Sequence, residues 1–219
     1  MERLISELIN GLHTLIGLIV IVNPLLGVSA ITTLTAGDSP AHRALTARYA
    51  ATTIAIVLIV GAIAGEFLLA LFGISIPEFK VGGGILILLM AIAMLNASPG
   101  NTRQTPEEQT EAQYKPQVGV VPLGIPLLAG PGAISAAIIY AQKSGGPIGM
   151  GILIIDILLV ALVAWLAMRS SDYLSRLIGQ TGINIATRIM GLILSAIAIG
   201  FIASGLLVLF PVLAGAAQR

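Results

Sequence analysis

The sequence predicts an all-α integral membrane protein with six transmembrane segments, arranged as two inverted three-helix repeats in which segments 1 and 4 are broken. Three observations lead to this fold class. Hydrophobic residues make up 57% of the 219 residues and charged residues only 10%. Uncharged stretches long enough to cross a bilayer recur along the chain, and the two halves share short motifs in the same order. Because a soluble domain carries about a quarter charged residues, most of this surface must face lipid.

Six apolar segments can be placed in order, and six crossings fit this chain at roughly 20 residues each plus connections. The segments cover residues 8–37, 48–66, 81–95, 118–142, 149–168 and 189–210. The stretch 97–117 is the longest polar one and predicts an exposed linker. One membrane domain is thus divided into a first three-helix repeat at 1–96 and a second at 118–219.

Segments 1 and 4 depart from simple helical spans. At about 1.5 Å per residue, the uncharged stretch 8–37 overshoots a hydrocarbon core about 30 Å thick, and Pro24 lies near its middle. Segment 4 contains Pro122, Pro126 and Pro131. Since proline removes a backbone donor and clashes with the preceding turn, both segments are candidates for broken helices. A tilted, proline-kinked helix is an equal alternative for segment 1, whereas the prolines of segment 4 favour a true break.

The two halves of the chain share two motifs. The sequence NPLLG at 23–27 matches IPLLA at 125–129, and GISI at 73–76 matches GINI at 182–185. Two matches in the same order, each marked by glycine or proline, indicate an internal duplication. If each half crosses the membrane three times, the second half must be inserted upside down relative to the first.

A matched pair of helix breaks has a chemical consequence. A new helix N-terminus exposes unpaired N–H groups and favours an anion, whereas a C-terminus exposes carbonyl groups and suits a cation. A small zwitterion satisfies both at once. Interrupted helices at corresponding positions of inverted repeats therefore predict a substrate site near the middle of the bilayer, as in secondary transporters.

The basic residues are compatible with two orientations. With six simple spans, the connections after segments 1, 3 and 5 hold most of them, and the positive-inside rule then places both termini outside. These residues are Arg43, Arg48, Arg103, Lys115, Arg169, Arg176 and Arg188. If segments 1 and 4 were re-entrant hairpins, the basic residues would be divided differently between the two membrane faces, with the same excess on one face. The charge pattern leaves both arrangements open.

At these motifs the sequence resembles the MarC family, also described as a six-span small neutral amino acid transporter family. The resemblance covers nearly the whole chain. It rests on NPL at 23–25, FGISIP at 72–77, VPL at 121–123, GPG at 130–132 and RIMG at 188–191. It implies a multi-pass protein of the inner or plasma membrane with two inverted three-helix repeats, carrying glycine, alanine and similar amino acids. The counterpart of Asn23 in the second half is Ile125, so the two breaks differ chemically.

The predicted substrate site lies at the two breaks. Asn23 either hydrogen-bonds a bound amino acid or caps the helix that Pro24 opens. Glycines beside the breaks either let a ligand approach the backbone or allow close helix packing. Ser29 either lines the site or bonds a carbonyl of its own helix. The predicted substrate-binding residues are Asn23, Pro24, Gly27, Ser29, Gly130, Pro131 and Gly132.

Asp156 lies near the middle of segment 5. An ionisable group at membrane depth is costly and usually functional. Asp156 is therefore a candidate for coupling transport to an ion, with protons and sodium both left open, or for pairing with the ammonium group of a substrate. The alternative is an acid that is hydrogen-bonded between helices.

Other functional classes are disfavoured. A net charge of +1 argues against a nucleic-acid partner. The chain contains no cysteine, and its two histidines lie outside any HExxH motif. We therefore expect no metal site, no cofactor and no enzymatic activity. We therefore expect a membrane transporter for small neutral amino acids that alternates access around a midplane site, surrounded by lipid. A channel or a general small-solute or drug exporter is the alternative, and a homo-oligomer is left open.

Overall fold

The computed structural model describes residues 2–96 and 119–212. Within these ranges the chain is helical apart from short turns. The elements are α1 (Glu2–Val22), α2 (Pro24–Leu34), α3 (Pro40–Leu71), α4 (Ile76–Leu95), a kinked segment (Gly119–Leu128), α5 (Pro131–Lys143), α6 (Pro147–Arg169) and α7 (Ser171–Leu209). The predicted linker 97–117 lies outside the described residues, so the division into 1–96 and 118–219 stays a prediction.

Proline and serine define most of the helix starts. Helices α2 to α6 each carry proline in one of the first two positions, where its missing N–H is not needed for the helix. The Ser39 hydroxyl caps α3 by accepting from the backbone N–H of His42. Ser75 and Glu78 form a reciprocal capping box at the start of α4. These polar residues fix the turns at the ends of the helical bundle.

Five helical stretches of the described chain are long and apolar enough to cross a membrane. They are Ile9–Leu34, Pro40–Leu71, Ile76–Leu95, Pro147–Arg169 and Thr181–Leu209. Large apolar side chains such as Phe67, Leu71 and Leu192 are exposed on their outer faces, as a lipid-facing surface requires. The chain is therefore an all-helical membrane protein. The predicted segment 4 is not among these stretches, because it is divided between the kinked segment and α5.

Several helices extend beyond the apolar segments. Helix α3 begins at Pro40, before the predicted start at residue 48, and the polar stretch that precedes segment 6 is helical from Ser171 onward. A left-handed Gly179, with φ of 66°, kinks α7 between this polar part and the apolar remainder. Hydropathy marks only the part of a helix that lies in lipid, so polar turns at the ends of a span escape it.

Equivalent helices of the two halves have equivalent neighbours in the other half. Helix α2 packs against α6 and α7, and α5 packs against α3 and α4. Likewise α1 packs against α6, and the kinked segment packs against α3. The most extensive interface joins α4 to α7, the last helices of the two halves. Each half thus contacts the other through equivalent elements.

Close glycine contacts give the direction of each helix pair. Gly11 lies against Ile152 and Gly27 against Met168, so segment 1 and α6 run in the same direction. Along α3, Gly124 packs against Thr53 and Ile138 against Gly65, so segment 4 and α3 are also parallel.

Helix α4 runs antiparallel to α7, because Gly84 faces Ile202 whereas Gly191 faces Met94. Glycine at these points lets the backbones approach closely, as is common between helices in membranes.

Candidate functional site

Asn23 interrupts the first membrane segment. Helix α1 ends at Val22 and α2 begins at Pro24, and Asn23 between them has a φ of 54° and a ψ of 77°. Asparagine is one of the few residues besides glycine that enter this left-handed region without large cost. Its backbone N–H still donates to the Ile19 carbonyl at 2.9 Å, and its own carbonyl accepts from the Leu26 N–H at 3.0 Å. The chain changes course here within a single residue.

The Asn23 side chain is half satisfied. Its Oδ1 accepts a hydrogen bond of 3.3 Å from the Leu26 N–H, so it caps α2 as the sequence suggested. The side chain is only 1% exposed, and among the described residues its Nδ2 has no hydrogen-bond partner. A buried donor without an acceptor costs about 1–3 kcal/mol. The capping role is therefore present, and a donor is left over for another acceptor.

Gly27 and Ser29 are the fourth and sixth residues of α2. A Cβ at Gly27 would approach Leu128 Cδ1 and Met168 Cγ at 3.3 Å each, so this glycine fits between the kinked segment and α6. The Ser29 Oγ is buried and has no hydrogen-bond partner among the described residues. It therefore does not bond a carbonyl of its own helix, unlike Thr32 and Thr33 nearby.

The second interruption is longer than the first. Within the kinked segment, Val121 and Ile125 have extended backbone angles, with φ of −130° and −125°. Helix α5 then starts at Pro131, and Gly130 at its N-cap position is extended and offers no side-chain cap. The Gly130 carbonyl accepts from the Ala133 and Ile134 N–H groups at 2.9 and 3.1 Å. The start of α5 thus lacks the capping side chain that Asn23 supplies at the start of α2.

Gly132 is explained by packing. A Cβ on this residue would collide with the Met90 sulfur and come within 3.4 Å of Ile87 Cγ1 on α4. Both Gly27 and Gly132 therefore lie in close helix contacts. A contact of either glycine with substrate stays a prediction, as it does for Pro24, Gly130 and Pro131.

Asp156 lies in a different place from the interruptions. It is 6% exposed, and among the described residues its Oδ2 has no hydrogen-bond partner. This oxygen lies beside Gly11, which precedes Asn23 by about 18 Å along the axis of α1. The structure therefore does not bring Asp156 together with the predicted substrate residues. The alternative role, an acid that is hydrogen-bonded between helices, is not supported for Asp156 Oδ2 among the described residues.

Asp156 instead lines a polar cavity of about 330 Å³ between α1, α5 and α6. The polar cavity is lined by Glu7, Asn10, Gly11, His13, Thr14, Tyr140, Lys143, Ser144, Gly149, Ile152, Leu153 and Asp156. Glu7 approaches Gly145 and Gly149 near the ends of α5 and α6, so the mouth lies at the end of the bundle that holds the start of α1. The cavity extends inward from there to Asp156.

The sequence pattern did not single out Glu7, Tyr140 or Lys143 for this cavity. The Tyr140 ring meets the Phe201 ring edge to face, with centroids 5.6 Å apart, and its hydroxyl contacts Gly17. The Lys143 Nζ lies 5.1 Å from the centroid of Phe201. The sequence contains one indication of this cavity, because Tyr140 and Lys143 occupy successive turns of one face of α5. Their partners Phe201 and Gly17, however, come from two other helices, α7 and α1.

Comparisons with known proteins agree with this architecture. A family model described as MarC family integral membrane protein matches residues 9–210. The UPF0056 membrane protein YhcE of Escherichia coli K12 is 38% identical over 196 residues, which cover 90% of this chain and 91% of the relative. The UPF0056 membrane protein YvbG of Bacillus subtilis 168 is 35% identical over 202 residues, covering 92% and 96%.

A more distant organism also has a relative. The UPF0056 membrane protein MJ0972 of Methanocaldococcus jannaschii is 36% identical over 155 residues, covering 71% of this chain and 68% of the relative. No solved structure matches the chain. The family model spans both interruptions and every helix from α2 to α7.

Proposed function

The chain belongs to the MarC family of integral membrane proteins, and we propose that it is a secondary transporter of small neutral amino acids such as glycine and alanine. Family membership and the apolar helices make it a multi-pass protein of the inner membrane. Transport proceeds by alternating access around the two helix interruptions. A homo-oligomer is compatible with this proposal.

The observation that carries the proposal is the amide of Asn23, whose Nδ2 has no hydrogen-bond partner in the described part of the chain. A buried Nδ2 donor at a helix interruption is costly unless something accepts its hydrogen bond. The carboxylate of an amino acid is such an acceptor, and the adjacent N-terminus of α2 favours the same negative group through its backbone dipoles. Ser29, whose Oγ is also buried and finds no partner within residues 2–96 and 119–212, provides a second donor on the same helix.

The second interruption complements the first. The uncapped start of α5 at Gly130 and Pro131 presents backbone dipoles without a competing side chain. The extended backbone at Val121 and Ile125 departs from helical geometry, and carbonyl groups at such a break suit the ammonium group of a zwitterion. The substrate-binding set is therefore Asn23, Pro24, Gly27, Ser29, Gly130, Pro131 and Gly132.

The helix directions support six spans in two inverted repeats. Segment 1 runs parallel to α6, and segment 4 runs parallel to α3. Since α3 returns across the bundle after segment 1, segments 1 and 4 run in opposite directions. Neither segment turns back on itself, which favours spanning segments over re-entrant hairpins. With spanning segments, the distribution of basic residues places both termini outside.

Asp156 is the proposed coupling residue. A carboxyl group at membrane depth in contact with a polar cavity can bind a proton or a sodium ion from one side of the membrane. No cofactor is required for this mechanism.

Uptake into proteoliposomes tests the proposal. Purified protein is reconstituted, and uptake of labelled glycine and alanine is measured with an imposed proton or sodium gradient, against protein-free liposomes. We expect saturable uptake that unlabelled alanine inhibits. Asn23→Gly and a triple alanine replacement of residues 130–132 should abolish it, whereas Gly200→Ala, at an exposed position with free space, should not. Absence of uptake under every gradient would remove the proposal, and uptake that fails to saturate would indicate a channel.

A further inference from the structure

The polar cavity does not reach the interruption at Asn23. Its inner wall includes Tyr140, whose hydroxyl contacts Gly17. Gly17 precedes Asn23 by about 9 Å along α1, and Leu18, Ile21 and Val22 between them are fully buried. A solute in the cavity is therefore separated from the proposed midplane site by packed side chains.

The inner part of the polar cavity has an uncompensated acid. Asp156 Oδ2 is buried and has no hydrogen-bond partner among the described residues. This oxygen faces Gly11 on α1, where an added Cβ would lie 3.6 Å from Oδ2 and would collide with Ile152 Cγ2 at 2.6 Å. A buried carboxylate without a cation is strongly unfavourable. The geometry suits a ligand that brings a positive group to Asp156.

A cationic side chain lines the same cavity. Lys143 belongs to neither ion pair that the described residues form, and its Nζ lies 5.1 Å from the centroid of the Phe201 ring. The charge of Lys143 is thus held by an aromatic face, and the ammonium group remains able to bind an anion. The remaining titratable groups of the lining are Glu7 and His13 on α1 and Tyr140 on α5.

We propose that the polar cavity is a second binding site for small amino acids, in which Asp156 accepts the ammonium group and Lys143 donates to the carboxylate. This inference rests on the proposed function and adds an access site on one membrane face, before the midplane site. Opposite charges in one cavity favour a zwitterion over a divalent metal ion, and the described residues contain no group of three His, Cys, Asp or Glu side chains suited to holding one.

Cysteine protection tests the cavity site directly. The chain contains no cysteine, so Thr14→Cys gives a single thiol in the lining of the cavity. The rate of its modification by a neutral methanethiosulfonate reagent is measured on purified full-length protein with and without glycine. We expect glycine to slow the reaction several-fold. A matched control is Ser39→Cys at the other end of the bundle, where glycine should have no effect.

Two charge variants identify the contacts. In the Thr14→Cys background, Asp156→Asn should raise the concentrations of glycine and of glycinamide that give half-maximal protection, each on the order of tenfold. Lys143→Gln should weaken protection by glycine alone, because glycinamide has no carboxylate. Asn23→Gly should leave protection by glycine intact, since it alters the other site. Unchanged protection in Asp156→Asn would overturn the proposal.

Uptake by the same proteins separates this inference from the proposed function. Uptake without any protection of Thr14→Cys would remove the cavity site and leave transport standing. Protection without uptake would leave the cavity site standing and remove transport. Equilibrium binding of labelled glycine to wild type and Asp156→Asn provides the comparison if Thr14→Cys does not insert, with a loss of affinity expected and equal affinities contradicting the proposal.

Discussion

Arg43 in α3 and Asp172 in α7 form a salt bridge that joins the two halves of the chain at the end of the bundle away from the polar cavity. The same guanidinium group binds the end of α2. Its Nε donates to the Thr35 hydroxyl at 2.9 Å and its Nη2 to the Thr35 carbonyl at 3.3 Å. One arginine therefore connects α2, α3 and α7.

The partners of Arg43 are expected to contribute unequally to stability. The Asp172 side chain is 65% exposed, so Asp172→Ala should lower the free energy of unfolding by about 0–1 kcal/mol. Arg43→Ala removes donors from the buried Thr35 and should cost about 1–3 kcal/mol. Unfolding of the purified variants by a denaturing detergent measures both. Equal losses would show that the salt bridge, rather than the end of α2, determines the role of Arg43.

Asn23 variants should separate backbone strain from side-chain chemistry. Asn23→Gly accepts the left-handed backbone and loses only the cap, which costs a few tenths of a kcal/mol. Asn23→Ala adds the cost of a Cβ in that conformation, about 1–2 kcal/mol. We expect Asn23→Ala to unfold more readily than Asn23→Gly in detergent titrations, and glycine binding at the interruption to be lost in both. Equal stability of the two variants would contradict the left-handed conformation.

The sequence was sufficient to predict an all-helical membrane protein, because hydropathy and charge depletion depend on the solvent around the chain. It also predicted breaks near Pro24 and Pro131, since proline cannot continue a helix. It did not predict which side chains meet. Tyr140, Lys143 and Asp156 line one cavity only because α5 and α6 pack beside α1.

The roles of individual glycines were equally hard to predict. In a sequence, a glycine that admits ligand and a glycine that admits a neighbouring helix look alike. Gly27 and Gly132 contact Met168 and Met90, and those partners are distant in the chain. Asn23 Nδ2 and Asp156 Oδ2 have no partner among the residues that the structure describes, and this likewise depends on the surroundings that folding creates.

Glycine-to-alanine variants should show which close contacts matter. Gly27→Ala brings a methyl group to 3.3 Å from both Leu128 and Met168, and crowding of this kind typically costs about 1–3 kcal/mol. Gly200→Ala meets nothing within 4 Å and should leave the free energy of unfolding unchanged or slightly raised. Detergent-induced unfolding of both variants measures the difference. A Gly27→Ala protein as stable as wild type would contradict this packing cost, and a loss of glycine binding at unchanged stability would support the proposed contact of Gly27 with the substrate.

Gly17 and Tyr140 offer a test of the inner wall of the polar cavity by a double-mutant cycle. A methyl group at residue 17 overlaps the Tyr140 hydroxyl, so Gly17→Ala should push the ring away from its edge-to-face contact with Phe201 and cost about 1–3 kcal/mol. Tyr140→Phe removes the overlapping oxygen, after which the nearest ring atom, Cζ, lies 3.2 Å from the added methyl group. The penalty of Gly17→Ala should therefore fall by about half or more in the Tyr140→Phe background, giving a coupling energy on the order of 1 kcal/mol in unfolding measurements. Additive penalties would mean that the Tyr140 hydroxyl does not lie against α1, and the wall between the polar cavity and Asn23 would have to be formed by other side chains.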